Sequence, residues 1–202
     1  MEELQFEESD RILILAPHPD DESIGCGGLL LQYAAQCDVV VLTDGRHGGK
    51  PGQSESEVIA IRQKVMASAM EFADVNNLMF LGVEDGKLAE NFDKFSELGL
   101  TGYNIIVCPH MNDNHPDHAC VYDFLQQLKF KAKVVMYELW STIAQPSHYL
   151  DISKVVEEKK RLISFHRSQV EQVDYVSKIT GLNCYRGMLV YPAIAYAEAY
   201  KT

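Results

Sequence analysis

The sequence predicts an α/β protein: a doubly wound, Rossmann-like, mostly parallel sheet with helices on both faces. Three observations carry this. Five short apolar runs recur along the chain without polar alternation, the pattern of strands covered on both faces. Between them lie stretches with apolar residues three or four apart, the period of amphipathic helices. The two patterns alternate in order, which points to parallel strands joined by crossover helices.

Taken in order, residues 12–16 (ILILA) read as the first buried strand. Residues 23–36 read as a helix with Ser23 at its N-cap. The second strand is 39–42 (VVVL), followed by a flexible, glycine-rich stretch at 45–52 (GRHGGKPG), a candidate loop beside a site. The longest helix covers 56–74, with Val58, Ile61, Val65, Ala69 and Phe72 on one face. Strands at 78–81 and 105–108, a helix at 115–130, a strand at 134–137 and a helix at 155–173 complete the pattern. The last segment, 191–200, alternates Ala, Tyr and charge and fits either strand or loop. No repeat, linker or long charge run divides the 202 residues, so one domain over 1–202 is expected.

Composition narrows the function. Apolar residues make up 47% and charged residues 23%, which is ordinary globular usage and excludes disorder. The net charge of −11 repels phosphate backbones and anionic lipid surfaces, so nucleic acid is not the expected partner. A neutral or cationic ligand, or a metal ion, suits this field better. No apolar run approaches the length of a membrane span. The start, MEELQFEESD, is acidic, unlike a signal peptide. The five cysteines are odd in number and lack CxxC spacing. Reduced, mostly buried thiols and a cytoplasmic location are therefore expected. The oligomeric state stays open, a homo-oligomer included.

Two motifs carry chemistry. Pro17-His18-Pro19-Asp20-Asp21-Glu22 directly follows the first strand. The prolines hold this turn extended and stiff. Imidazole with carboxylate is a zinc ligand set, and adjacent carboxylates can divide metal binding from proton handling. A solvated acidic loop capping the next helix explains the acids but neither the prolines nor the histidine. His115-Pro116-Asp117-His118 follows the fourth strand about a hundred residues later. Alone it reads as a surface helix start. Together the two motifs supply His18 and Asp21 from one loop and His118 from the other, three ligands with a fourth position left for water or substrate. In open α/β sheets such loops meet at the carboxyl ends of the strands.

Gly25-Cys26-Gly27-Gly28 invites a dinucleotide reading, with Asp44 as the ribose acid. The spacing fails, because Leu30 stands where the third glycine belongs. Close packing of this helix on the sheet is the simpler account.

The string APHPDDESIGCGG, taken with HPDH, resembles the LmbE-like family of zinc-dependent N-deacetylases, which is related to the N-acetylglucosaminyl-phosphatidylinositol (PIG-L) deacetylases. Further matches are 42–45 (LTDG), 80–82 (FLG) with Asp85-Gly86, 166–169 (HRSQ) and 196–198 (YAE). The resemblance implies His18, Asp21 and His118 as ligands of Zn2+, Asp20 as general base, and His115 as the residue that stabilises the oxyanion or protonates the leaving amine. It implies Asp117 as the orienting partner of His115, and Arg62 near the substrate. Arg46 stands where the family often carries glutamate, and 62–64 (RQK) lacks the acid common after the arginine. Arg46 and His47 complete the substrate-side candidates.

The resemblance thus implies a hydrolase that removes the N-acetyl group from an amino sugar of the N-acetylglucosamine type. Asp20 takes the proton of a metal-activated water, and His115, protonated and held so by Asp117, receives the oxyanion. The leaving amine takes its proton from His115 or Asp20. The alternatives are a zinc amidohydrolase acting on a non-sugar amide, and a nucleotide-binding domain without hydrolytic activity. His110 and Trp140 are pocket candidates, the latter as a stacking face or as core. His148 and His166 are read as structural.

Overall fold

A computed structural model describes all 202 residues. In chain order its elements are β1 (Glu2–Glu3), β2 (Ile12–Ala16), α1 (Asp21–Gln32), β3 (Cys37–Thr43), α2 (Glu55–Ala73), β4 (Asn77–Val83), α3 (Phe92–Ser96), β5 (Ile105–Pro109), α4 (Pro116–Gln127), β6 (Lys133–Tyr137), β7 (His148–Asp151), α5 (Val156–Phe165), α6 (Arg167–Val170), α7 (Tyr175–Met188) and β8 (Ala197–Lys201). The eight strands form one sheet in the order β1-β7-β8-β6-β5-β2-β3-β4. All pairings are parallel except those of β8, which runs antiparallel to both β6 and β7.

The doubly wound expectation holds, and the side-chain alternation of β2 shows why. Ile12 and Ile14 join the core under α1, α2 and α5, with Leu29, Leu30, Met66 and Leu162. Leu13 and Leu15 point the other way, into a core with Phe95 of α3 and Val121, Phe124 and Leu125 of α4. Both faces of the strand are dry, so an uninterrupted apolar run is what it needs. The connection reverses direction at β2, which lies between β5 and β3. The crevice at the carboxyl ends of β2 and β5 is the switch point where such sheets bind ligands.

Several boundaries differ from expectation. The N-cap of α2 is Ser54: its Oγ accepts the Glu57 amide, and the Glu57 carboxylate accepts the Ser54 amide. That reciprocal cap starts the helix a turn before its apolar stripe. Asp20 occupies the cap position of α1, and Ser23 lies inside its first turn, donating to Glu22. The helix expected over 155–173 breaks at His166, which turns inward to within 3.3 Å of Ser23 Oγ. Burial pushes His166 down to about 3, so it packs as a neutral ring. The undecided tail contains β8; β7 and α7 are additions to the expected order, and the buried face of α7 carries Asn183, Arg186 and Gly187 where an apolar stripe would announce a helix.

The glycine turn packs closely. A Cβ on Gly25 would meet the ring of Tyr137, and one on Gly28 would meet Ile152 and the Glu198 carboxylate. Helix α1 kinks at Cys26, and Glu198 from β8 accepts the buried amides of Gly28 (2.7 Å) and Leu29 (3.0 Å). Lys159 pairs with that carboxylate at 2.6 Å, both residues fully buried. The amides that a pyrophosphate needs are thus held by a protein carboxylate. All five cysteines are free thiols, three of them buried. No helix is long and apolar enough to cross a membrane.

Candidate active site

Loops at the carboxyl ends of β2, β3, β4, β5 and β6 converge on a cleft of about 320 Å³ lined by His18, Asp20, Asp21, Arg62, Asp85, His115, Trp140 and Tyr175, among others. His18 and His118, 100 residues apart, meet because their strands are neighbours in the sheet. His18 Nδ1 lies 3.1 Å from Asp21 Oδ2 and 3.1 Å from His118 Nε2, and His118 Nε2 lies 3.2 Å from Asp21 Oδ2. Three donor atoms therefore form a nearly equilateral triangle. Donors about 2.0–2.1 Å from one tetrahedral ion stand roughly 3.3 Å apart, so this set fits a metal.

The electrostatics agree. Burial opposes charge on both imidazoles, but the carboxylates around them together outweigh it: Asp21 first for both, with Asp117 and Asp85 at His18 and Asp113 at His118. His18 is raised well above its ordinary range and His118 is pushed up to about 9. Asp21, despite burial, is held far below the carboxylate range by the same two rings. Positive charge is wanted between these groups, and protons supply it where a cation does not.

Two carboxylates unassigned by the sequence reading support the ligands. Asp113 Oδ1 lies 3.1 Å from His118 Nδ1, and Asp113 also accepts the amides of His115 and Ser141. With Nδ1 protonated toward Asp113, the Nε2 lone pair of His118 faces Asp21 and His18. Asp85 Oδ1 lies 3.1 Å from His18 Nε2. The alignment is too poor for a hydrogen bond, and Nε2 is a buried nitrogen without a hydrogen-bonded partner. Burial works to raise Asp85, but His18 holds it at about 2. The only sequence signals for these acids are an Asp two residues before HPDH and the Asp-Gly after β4.

Asp20 points into the cleft beside the triangle. Burial, helped by the Asp21 charge, pushes it up to about 6 against the pull of Arg62. Arg62 is itself buried: it sits 3.1 Å from Asp20 Oδ1 and donates to the carbonyls of Gly45 and Pro19, both at 3.0 Å. It clamps the β2 and β3 loops around Asp20 rather than standing free for a ligand.

His115 caps α4, its Nδ1 accepting the Asp117 amide at 3.2 Å. That bond leaves the ring proton on Nε2. Burial, and then the charges on His18 and His118, lower its basicity. The ring is therefore neutral, unlike the protonated form that the sequence reading invoked. The Asp117 carboxylate does not orient the His115 ring as expected, because it is turned the other way: it accepts the amides of Gly86 (2.8 Å) and Leu88 (3.1 Å) and stands 3.4 Å from His18 Nε2. It ties the β4 loop to the ligands.

The remaining candidates divide. His47 lines the cleft, largely exposed, with its amide on Asp85. Arg46 does not line it; it makes a forked pair with Asp44 and faces Glu55 and Glu84. His110 stands outside the cleft, its Nε2 3.0 Å from the Ser141 carbonyl. Trp140 and Tyr175 form one wall, edge to face with centroids 5.5 Å apart.

Comparison with known proteins agrees with this geometry. Residues 13–129 match the PIG-L family, GlcNAc-PI de-N-acetylase. A probable N-acetyl-alpha-D-glucosaminyl L-malate deacetylase 2 of Bacillus subtilis is 26% identical over 80% of this chain and 84% of its own. Diacetylchitobiose deacetylase of Thermococcus kodakarensis is 26% identical over 81% of this chain and 72% of its own. In fold, a conserved protein of Thermus thermophilus superposes with a TM-score of 0.79 at 24% identity, covering 95% of this chain and 93% of that one. With both histidine motifs standing at the switch point and the family model spanning more than half of its length, the chain belongs to the PIG-L family.

Proposed function

We propose that the chain, as one deacetylase domain over 1–202, hydrolyses the N-acetyl group of an N-acetylated amino sugar of the N-acetylglucosamine type. His18, Asp21 and His118 are the residues that would hold Zn2+. The observation that carries this reading is the triangle of ligand atoms, 3.1–3.2 Å on a side, beside a buried carboxylate at about 6. Family membership and the two curated deacetylases support the substrate class.

An amide resists water at neutral pH; zinc in the triangle supplies the acidity and polarisation that overcome this. Asp20 takes the proton of the attacking water. Its buried setting suits that task, because a base that titrates near the working pH combines ionisation with basicity. Arg62 keeps Asp20 aimed and ionised. His115 donates its Nε2–H to the oxygen on which negative charge develops, and a neutral ring suffices for that. Because His115 is neutral, Asp20 is the group that carries a proton to the leaving amine. Asp113, Asp85 and Asp117 orient the ligands. The reading includes a small-molecule sugar as partner and a cytoplasmic location, which the free thiols favour.

The test is metal content of the purified protein with acetate release from N-acetylglucosamine derivatives, with and without chelator. About one zinc per chain and chelator-sensitive acetate support the reading. A metal-binding protein that releases no acetate from any of them refutes it.

A further inference from the structure

We propose that the group attached to the N-acetylated sugar is itself an uncharged or positively charged pyranose, stacked on Trp140, and that anionic groups are rejected. This rests on the amino-sugar deacetylase reading above and adds the identity of the second half of the substrate.

The first observation is charge. The cleft lining holds Asp20, Asp21 and Asp85 but one permanent cation, Arg62. That guanidinium is consumed by Asp20, Gly45 and Pro19. Arg46, next along the β3 loop, is surrounded by Asp44, Glu55 and Glu84. Lys50 and Arg167 line a smaller groove that adjoins the cleft at Gly48 and Arg62, and there Lys50 is paired with Glu171. Apart from a metal held at the reacting end, a carboxylate or phosphate entering the cleft meets no uncommitted cation in its lining and faces Asp20, Asp21 and Asp85, which costs desolvation without return.

The second observation is the wall. Trp140 is 48% exposed and borders the cleft, with Tyr175 behind its edge. Its loop is pinned on both sides, at Glu138 before it and at Ser141 and Ile143 after it. Arg186 and Glu138 form a buried ion pair, with Arg186 Nε 3.0 Å from Glu138 Oε2. Glu138 accepts the Ile143 amide, and Arg186 donates to the Ile143 carbonyl at 2.9 Å. Ser141 donates its amide to Asp113 and receives His110 on its carbonyl. An indole held rigid at the rim of a polar cleft offers a flat apolar face at little entropic cost. The apolar face of a pyranose matches that surface, and a small acid such as malate has no such face.

The experiment compares kcat/KM of the zinc-loaded enzyme on four substrates at low salt: methyl N-acetylglucosaminide, N,N′-diacetylchitobiose, N-acetylglucosaminyl-glucosamine and N-acetylglucosaminyl malate. The two disaccharides are expected to lead, with the malate glycoside at least about tenfold behind and the gap narrowing as salt is added. Trp140→Ala is expected to lower kcat/KM on the disaccharides about fivefold to tenfold through KM, with a much smaller effect on the methyl glycoside. Trp140→Phe recovers most of the loss. Equal losses on all four substrates overturn the proposal, because Trp140 then acts on the reacting sugar or on the loop. Malate at the head of the series, with its lead abolished by Lys50→Met and Arg167→Met together, also overturns it and leaves the deacetylase reading intact. No acetate from any substrate removes both.

Discussion

Replacing Arg62 with Gln tests whether Asp20 is tuned as described. The guanidinium is 3.1 Å from Asp20 Oδ1, and both side chains are buried. Charge centres about 4 Å apart at an effective dielectric of 20–40 interact by about 2–4 kcal/mol, which is roughly 1.5–3 pH units on the partner. Removing the cation raises the Asp20 pKa, because burial and Asp21 already push it upward to about 6. A base works only when ionised, so the acidic limb of kcat/KM moves to higher pH. A carboxylate titrating at about 6 is roughly 90% ionised at pH 7, and at about 8 only roughly 10%. The variant should lose about tenfold in kcat/KM at pH 7 and regain most of it by pH 9. Arg62→Lys keeps the charge and should keep the limb near its original position. The assay is acetate release across pH 5–9.5 with zinc content measured in parallel, since Arg62 touches none of the three ligands. A uniformly lower rate with an unshifted limb would refute the electrostatic argument and leave Arg62 only its clamp on Gly45 and Pro19.

Three further outcomes follow from other contacts. Asp20→Asn should retain zinc while kcat falls about a hundredfold or more; full activity with bound metal removes the base assignment. Asp113→Asn should weaken metal binding about 10–100-fold by putting a neutral, weaker acceptor behind His118 Nδ1 in place of a carboxylate, read by competition with a chromophoric chelator, and an unchanged affinity would show that the Asp113 charge does not tune His118. Lys159→Met leaves Glu198 charged and buried under α1, and urea unfolding should show a loss of about 3–5 kcal/mol; a loss below about 1 kcal/mol means that the Gly28, Leu29 and Tyr200 donors satisfy the carboxylate alone.

The chain by itself determined the five contiguous strands β6-β5-β2-β3-β4 and the two histidine-bearing loops at their ends. Runs such as ILILA demand burial on both faces, and that demand is local. The prolines and acids of 17–22 and the HPDH string are likewise visible without coordinates, because a stiff polar turn after an apolar strand is legible as residue types in sequence. Tertiary structure decided how those groups are supported and which of them stay free. Asp113 and Asp85 matter through His118 and His18, partners set by neighbouring strands and not by spacing. Arg46 and Arg62 are equivalent as letters, yet one is drawn off by the buried Asp44 and the exposed Glu55 and Glu84, and the other is buried against Asp20. The sequence reading required a charged His115; burial first, then the two facing imidazoles, lower its basicity, and its Nδ1 is held by the Asp117 amide. Strand β8 was illegible because its register is fixed by β6 and β7 on either side. Protonation, accessibility and pairing depend on what surrounds a group in three dimensions, and a linear pattern records only its immediate neighbours.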